Sequence, residues 1–179
     1  MSDIIEIFRE KHKGISPKKL VDEYYVLLGK INECKGKGDY DSMLMHCQLS
    51  ISLLESLINE EKREFGTFDI KSIPAIEIGS VFHAIYGEEG QLCNLKEVVG
   101  YFPELEPWNN TIEEAFVMKE LASKIYQYVK HNEGCLQKEL KKAIGVEDGR
   151  LVTRVVYYMA LVDKLERKKL GNTYSLFAK

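Results

Sequence analysis

The chain has 179 residues, 45% of them hydrophobic, and its 25 Lys and Arg against 28 Asp and Glu give a formal net charge of −3. This composition is ordinary for a soluble globular protein of one large or two small domains. No apolar run approaches the about 20 residues that a membrane-spanning helix needs, so none is predicted. The N-terminal segment has no basic stretch ahead of an apolar one, so we expect no secretory signal and a cytoplasmic location.

Charge is distributed unevenly along the chain. From Lys119 onward there are 13 basic and 7 acidic residues, a net charge of +6, whereas the remainder has 12 basic and 21 acidic residues, a net charge of −9. Such a division suggests two functions, and a basic half is typical of a nucleic-acid partner, although a small domain can also be basic by chance. The cysteines are scattered without a CxxC pair, which favours reduced thiols in a cytosolic protein.

The N-terminal part reads as a helical hairpin. Residues 1–15 form either a short helix or a loose arm. Ser16 and Pro17 are typical of a helix start, and apolar residues at three- and four-residue steps continue that helix to a glycine-containing end at Lys35–Gly38. A second long helix is predicted from Asp39 or Asp41 to about Arg63. Two long amphipathic helices joined by a short glycine turn form an antiparallel hairpin.

Two shorter helices follow, over Ala75–Tyr86 and Leu92–Tyr101. Pro103–Asn110 contains two prolines and no periodicity, which predicts a linker. Thr111 with Glu114 three residues later has the pattern of a capping box, so a helix is predicted to start at Thr111 and to continue without interruption into the last third of the chain. The domain boundary is therefore placed in the linker, giving an acidic helical domain, 1–110, and a basic domain, 111–179.

The last third predicts three helices and a β-hairpin. After the long helix stops near Gly134, Leu136, Leu140 and Ile144 share one face of a second helix, and Gly145 ends it. A third helix over Gly149–Leu161 has an apolar side and an opposite polar side. The apolar side comprises Leu151, Val152, Val155, Tyr158, Met159 and Val162, and the polar side comprises Arg150, Thr153, Arg154 and Tyr157. Gly171–Asn172 between two alternating segments is a hairpin signal.

This order resembles the winged helix-turn-helix superfamily of MarR-like and ArsR-like regulators. The residues that carry the resemblance are Gly134-x-Leu136-x-x-Glu139-Leu140, Ile144-Gly145, Val155, Leu165-x-Arg167 and Tyr174-x-Leu176. It implies a mainly α fold, in which a long helix joins an N-terminal helical hairpin or bundle to a C-terminal winged-helix domain with a small β-hairpin. Glu147 and Asp148 depart from the family pattern, in which this segment often carries Ser, Thr or Arg near the phosphates. Two carboxylates at this position would weaken contacts with DNA.

The resemblance implies a transcriptional regulator that binds double-stranded DNA. Arg150, Thr153, Arg154 and Tyr157 would enter the major groove. Lys138, Lys141 and Lys142 would contact phosphates, and Arg167, Lys168 and Lys169 would ride in solvent on the wing and reach the DNA backbone or the minor groove. Arg154 is expected to be free of carboxylates and Arg150 to be partly paired with Glu147. The N-terminal helices would mediate homodimerisation or bind a protein partner.

Other functions stay open at this point. A helical module followed by a winged helix also resembles PCI-type assembly subunits, in which the wing packs on protein, and Glu147 and Asp148 favour that interpretation. A third possibility is a regulator whose N-terminal helices enclose a small effector. Catalysis is not predicted, since there is no HExxH, GxSxG, Walker or GxGxxG motif. No catalytic residue, metal ligand or cofactor is therefore expected.

Overall fold

The structure is a computed structural model that describes residues 14–179, so the predicted N-terminal helix or arm lies almost entirely outside the described residues. The helices are α1 Pro17–Lys37, α2 Tyr40–Ile51, α3 Leu54–Phe65, α4 Pro74–Tyr86, α5 Glu89–Tyr101, a 3-10 helix Pro103–Trp108, α6 Asn109–His131, α7 Gln137–Ala143 and α8 Gly149–Leu161. The strands are β1 Cys135–Leu136, β2 Leu165–Leu170 and β3 Thr173–Ala178. Within residues 14–179 no helix is both long enough and apolar enough to cross a membrane.

Helix α1 begins and ends where the sequence predicts. Pro17 occupies the start of the helix, where its missing N–H costs no hydrogen bond. Gly38 adopts a left-handed φ of 74° at the other end. The next amide, that of Asp39, donates to the carbonyl of Cys34 at 3.0 Å, which satisfies one of the last helical carbonyls. The chain then turns directly into α2.

The single helix predicted from Asp39 or Asp41 to Arg63 is wrong, because two helices, α2 and α3, occupy this range. They are separated at Ser52 and Leu53. The hydroxyl of Ser52 donates to the carbonyl of Leu49 at 2.7 Å, and a serine that bonds a nearby carbonyl in this way competes with the helical backbone. The break leaves Leu53 and Leu54 4% and 0% exposed, so both adjacent leucines are buried.

The predicted linker Pro103–Asn110 is also wrong, since Pro103–Trp108 is a 3-10 helix with a buried side. Leu105 is 0% exposed and Trp108 is 7% exposed. The Asn109 amide donates to the carbonyl of Glu106, so the 3-10 helix leads directly into α6. Thr111 therefore lies inside α6 and is not its N-cap, which overturns the predicted capping box.

The chain divides into two compact units. The described part of the first comprises residues 14–80 and Leu95–Thr111, and the second comprises Val81–Asn94 and Ile112–Lys179. In the first unit, α1 packs against α2 and α3. Its core includes the fully buried side chains Leu27, Ile31, Met43, Leu54 and Leu57.

The second unit has the element order of a winged helix. After α6 come β1, α7, α8 and the hairpin β2–β3, and the three antiparallel strands lie in the order β1-β3-β2. The register pairs Leu165 with Ala178 across the hairpin, and the turn contains Gly171 with φ 57°. The predicted fold class is therefore confirmed: a mainly helical chain with a small sheet at its C-terminal end. The two-residue strand β1 was not predicted, because it is too short for any alternation to be visible.

Candidate nucleic-acid interface

Helices α7 and α8 form the helix-turn-helix element of the second unit. Leu140 of α7 is 0% exposed, and Gly145, with φ 68°, turns the chain after this helix. Asp148 is the N-cap of α8, where its Oδ1 accepts hydrogen bonds from the amides of Arg150 at 2.8 Å and Leu151 at 3.0 Å. These bonds hold the pKa of the Asp148 carboxyl below its usual range. The carboxylate that departs from the family pattern is thus engaged in starting α8.

Replacing Asp148 with Ala is expected to lower the thermal unfolding midpoint of the second unit, because two amide donors at the start of α8 lose their acceptor. Asp148→Asn keeps an acceptor oxygen and is the matched control, with a smaller loss. Since the folded-state pKa is depressed, the stabilisation by the charged form is present above the ordinary pKa of an aspartate and is lost as pH falls through the lowered value. Melting curves followed by circular dichroism between pH 3 and 7 test this; equal midpoints for the wild-type protein and Asp148→Ala would contradict it.

Helix α8 has the two predicted sides. Val152, Val155, Val156 and Met159 are at most 2% exposed and anchor the helix. The predicted DNA-facing residues Arg150, Thr153, Arg154 and Tyr157 are all exposed. Val156 was not assigned to the apolar side by its spacing. The Thr153 hydroxyl donates to the carbonyl of Gly149 at 2.9 Å, so only its acceptor capacity remains for a ligand.

Arg154 is not the free side chain that the sequence predicts. Its guanidinium donates to the carboxylate of Glu114, which lies on α6. Both side chains are roughly half exposed, at 43% and 46%, so the ion pair is open to solvent. Arg150 has no ion-pair partner among residues 14–179, and the expected pairing with Glu147 is not observed. The structure therefore reverses the prediction: among the residues it describes, Arg154 is paired with a carboxylate and Arg150 is not.

The wing residues differ from one another in environment. Arg167 is opposite the buried Leu176 in the register, and its guanidinium carbon lies 4.0 Å from the centroid of the Tyr174 ring. Its Nε is buried and has no hydrogen-bond partner within the described part of the chain. The expectation that Arg167 rides out in solvent is thus wrong. A cation–π contact holds this guanidinium against the Tyr174 ring of the neighbouring strand.

Arg167 instead joins the exposed side of α8. Together with Arg150, Thr153, Arg154 and Tyr157 it lines an open depression of about 440 Å³. Five of the ten residues predicted to contact DNA are therefore neighbours around one concavity. Three of these five carry guanidinium groups, which suit bidentate binding of phosphate or of guanine.

The other five predicted residues, all lysines, do not line this depression. Lys138, Lys141 and Lys142 are exposed on α7, and the backbone amide of Lys138 donates to the Thr173 hydroxyl at 3.3 Å. Lys168 points to the other side of β2, where its Nζ lies 4.4 Å from the Phe177 ring centroid and 3.4 Å from a carboxylate oxygen of Glu166. Lys169 is exposed near the hairpin turn. Of these five lysines, only Lys168 has an ion-pair partner among the residues that the structure describes.

Sequence reasoning missed Glu114 and Tyr174 as members of the site. Glu114 precedes Arg154 by 40 residues, and no local pattern relates two residues at that separation. Tyr174 could have been found, because a hairpin centred on Gly171–Asn172 places it diagonally across from Arg167. Among residues 14–179 no group of three or more His, Cys, Asp or Glu side chains is arranged to hold a metal ion.

Comparison with protein-family models, with curated proteins and with solved structures found no significant match for this chain.

Proposed function

We propose that the protein binds double-stranded DNA through α8 and the wing of its second unit, as a transcriptional regulator would. The observation that carries this proposal is the depression lined by Arg150, Arg154 and Arg167 together with Thr153 and Tyr157. A helix that is anchored on one side and carries exposed arginines one turn apart on the other suits insertion into a major groove.

Some of these side chains would contact bases and others would contact phosphates. Arg150 and Arg154 would reach base edges, since a guanidinium can donate two parallel hydrogen bonds to a guanine. Arg167, held by Tyr174, would bind a backbone phosphate beside them. The lysines of α7 and of the hairpin would neutralise neighbouring phosphates. The net charge of +6 from Lys119 onward supports this electrostatic complementarity with DNA.

Affinity for duplex DNA is expected to fall steeply as salt rises, because each neutralised phosphate releases counterions. Fluorescence anisotropy with a labelled duplex of mixed sequence would measure log K against log salt. Lys142→Ala and Lys168→Ala should each reduce the steepness by about one while weakening all sequences alike. Lys30→Ala, which removes an exposed charge of α1, is the matched control and should leave the slope unchanged. Salt-insensitive binding, or no binding to any duplex by the folded protein, would overturn the proposal.

A second candidate is a protein-interaction surface on the same side of α8. The ion pair between Arg154 and Glu114 favours it, because a carboxylate beside the arginine opposes an approaching phosphate. Protein partners accept such mixed charge more readily than DNA does. Absence of duplex binding at low salt, with α8 shown to be folded by circular dichroism, would favour this candidate over the first.

We propose in addition that the first unit mediates homodimerisation. Large apolar side chains of this unit are exposed, with relative exposures of 50% for Tyr25, 51% for Val26 and 77% for Tyr101. A two-fold dimer would let two winged units read paired half-sites. Sedimentation velocity should show a dimer at about 10–50 μM, a concentration that detects even weak association. Val26→Asp should shift the protein towards monomer, whereas Lys35→Ala, which removes an exposed charge on the opposite side of α1, should not. A monomeric wild-type protein at these concentrations would contradict the proposal.

A further inference from the structure

A second concavity lies wholly within the second unit and is lined by residues from α4, α6 and α8 and by two lysines that follow α8. Its volume is about 480 Å³, in the range of small-molecule sites. The apolar part of its lining is buried: Ala84, Ile85, Ala122 and Met159 are each at most 5% exposed. Ser123 and Tyr126 add hydroxyl groups to the lining. The cavity thus combines apolar walls with a few polar groups, the usual composition of a ligand site.

The charged side chains of this lining are all positive. Lys119, Lys164 and Lys179 contribute to it, and none of the described lining residues is Asp or Glu. Lys119 is 18% exposed at its side chain, and its Nζ lies 2.8 Å from Glu89 and 3.3 Å from Glu120. These carboxylates are outside the lining. Lys179 likewise pairs with Asp163, which does not line the cavity.

Lys164 differs from the other two lysines in its partners. Its Nζ donates to the carbonyls of Ile85 at 2.9 Å and Tyr86 at 3.2 Å, which are neutral groups at the end of α4. An ammonium has three N–H donors, so one remains beyond these two carbonyls. The nearby carboxylate of Glu88 is engaged by His83, whose Nδ1 lies 2.6 Å away. Burial lowers the pKa of Lys164, and the negative charge of Glu88 opposes this shift.

The backbone holds Lys164 in place. Asp163 adopts a left-handed φ of 61° just after α8, a conformation that ends many helices and that aspartate tolerates better than most residues. The Lys164 amide donates to the carbonyl of Met159 at 2.9 Å, and its carbonyl accepts from the Lys179 amide at 3.1 Å. The ammonium is therefore fixed at the wall of the cavity before any ligand arrives.

We propose that this cavity binds a small organic monoanion, a carboxylate on an apolar aromatic or aliphatic body. The carboxylate accepts a hydrogen bond from the third N–H of Lys164, and the body lies against Ala84, Ala122 and Met159. The charge of Lys164 then gains an opposite charge in a partly desolvated setting, where ion pairing is stronger than at the surface. This site is separate from the exposed side of α8, so the inference does not depend on DNA binding.

The test uses the full chain, labelled with 15N, and two pairs of probes: benzoate with benzamide, and 4-phenylbutyrate with 4-phenylbutyramide. We expect at least one carboxylate to bind with a Kd of about 1 mM or tighter and to shift the amide resonances of Ala84, Gly87 and Ser123. Its neutral amide should bind about 10-fold more weakly, because it brings no charge to Lys164. The comparison within each pair separates recognition of the charge from adsorption of the apolar body.

Three variants localise the site. Lys164→Met should weaken carboxylate binding about 10-fold or more, which corresponds to loss of a charge-assisted bond. Ala122→Leu should block binding by filling the cavity while leaving Lys164 intact, and it decides the question if Lys164→Met does not fold. Lys124→Met removes an exposed charge of α6 that does not line the cavity and should change nothing. Absence of binding by both carboxylates at about 10 mM, equal affinity for acid and amide, or unchanged binding in Ala122→Leu would each overturn the proposal.

Discussion

Replacing Arg154 with Ala is expected to lower affinity for the preferred duplex by about 1–3 kcal/mol, which corresponds to about 5–150-fold, and to relax the preference at one base pair. The side chain lies on the exposed side of α8, next to Arg150 and Arg167 in the open depression. Its loss should leave folding almost unchanged, because its ion pair with Glu114 is half exposed and such pairs contribute little to stability. Competition anisotropy with single-base variants of a selected duplex would measure both effects.

Glu114→Gln is the matched variant, with an expected change of opposite sign. It removes the carboxylate that holds the Arg154 guanidinium, so duplex affinity should rise in the variant. In the double variant, the gain from Glu114→Gln should shrink, since the freed guanidinium is no longer there. If Arg154→Ala unfolds the second unit while residual DNA binding stays the same, the arginine is structural and the unit docks through another surface.

Replacing Trp108 with Ala is expected to lower the free energy of unfolding of the first unit by about 3–5 kcal/mol, the cost typical of removing a buried large aromatic side chain. Trp108 is 7% exposed, and its Nε1 donates to Glu77 at 3.0 Å. The same carboxylate accepts from the Ile73 amide at 3.1 Å and from the Ser72 hydroxyl at 2.8 Å. Loss of the indole therefore leaves a cavity and removes one of three donors to Glu77. Urea unfolding followed by circular dichroism would measure the change.

Two control variants separate packing from hydrogen bonding at this position. Trp108→Phe keeps most of the ring volume and loses the donor, so its cost should be clearly smaller than that of the alanine variant. Phe65→Ala removes an aromatic side chain that is 65% exposed in the same unit and should have little effect. An unchanged urea midpoint in Trp108→Ala would contradict this prediction. It would mean that Trp108 does not stabilise the first unit, as expected if Pro103–Asn110 were a flexible linker.

Trp108 and Arg154 show what could not be predicted from local sequence pattern. Pro103 and Pro107 lie in a segment without a helical period, and a linker was the natural prediction from local pattern. The segment is ordered because Trp108 meets Glu77, which is 31 residues away. The prediction that Arg154 has no carboxylate partner was wrong for the same reason, since its partner Glu114 lies 40 residues earlier on α6. Local charge spacing can report only partners within one helical turn.

Sequence alone determined the features that local chemistry controls. Pro17 and Gly38 delimit α1, and Gly171 forms the hairpin turn, because backbone conformation at such positions depends on the residue itself and its neighbours. The anchored and exposed sides of α8 followed from a 3.6-residue period over three turns. This was sufficient to predict the winged-helix order and most of the residues around the α8 depression.

Tertiary structure alone decided which of those residues lie together. The break between α2 and α3 leaves both Leu53 and Leu54 buried, an arrangement that the continuous apolar pattern of the sequence does not predict. The position of Arg167 depends on the register that places Tyr174 beside it, and the cavity at Lys164 depends on carbonyls of α4 that lie 78 and 79 residues away along the chain. Contacts across such separations arise from packing of whole elements, and their free energy has no counterpart in the local pattern of residues.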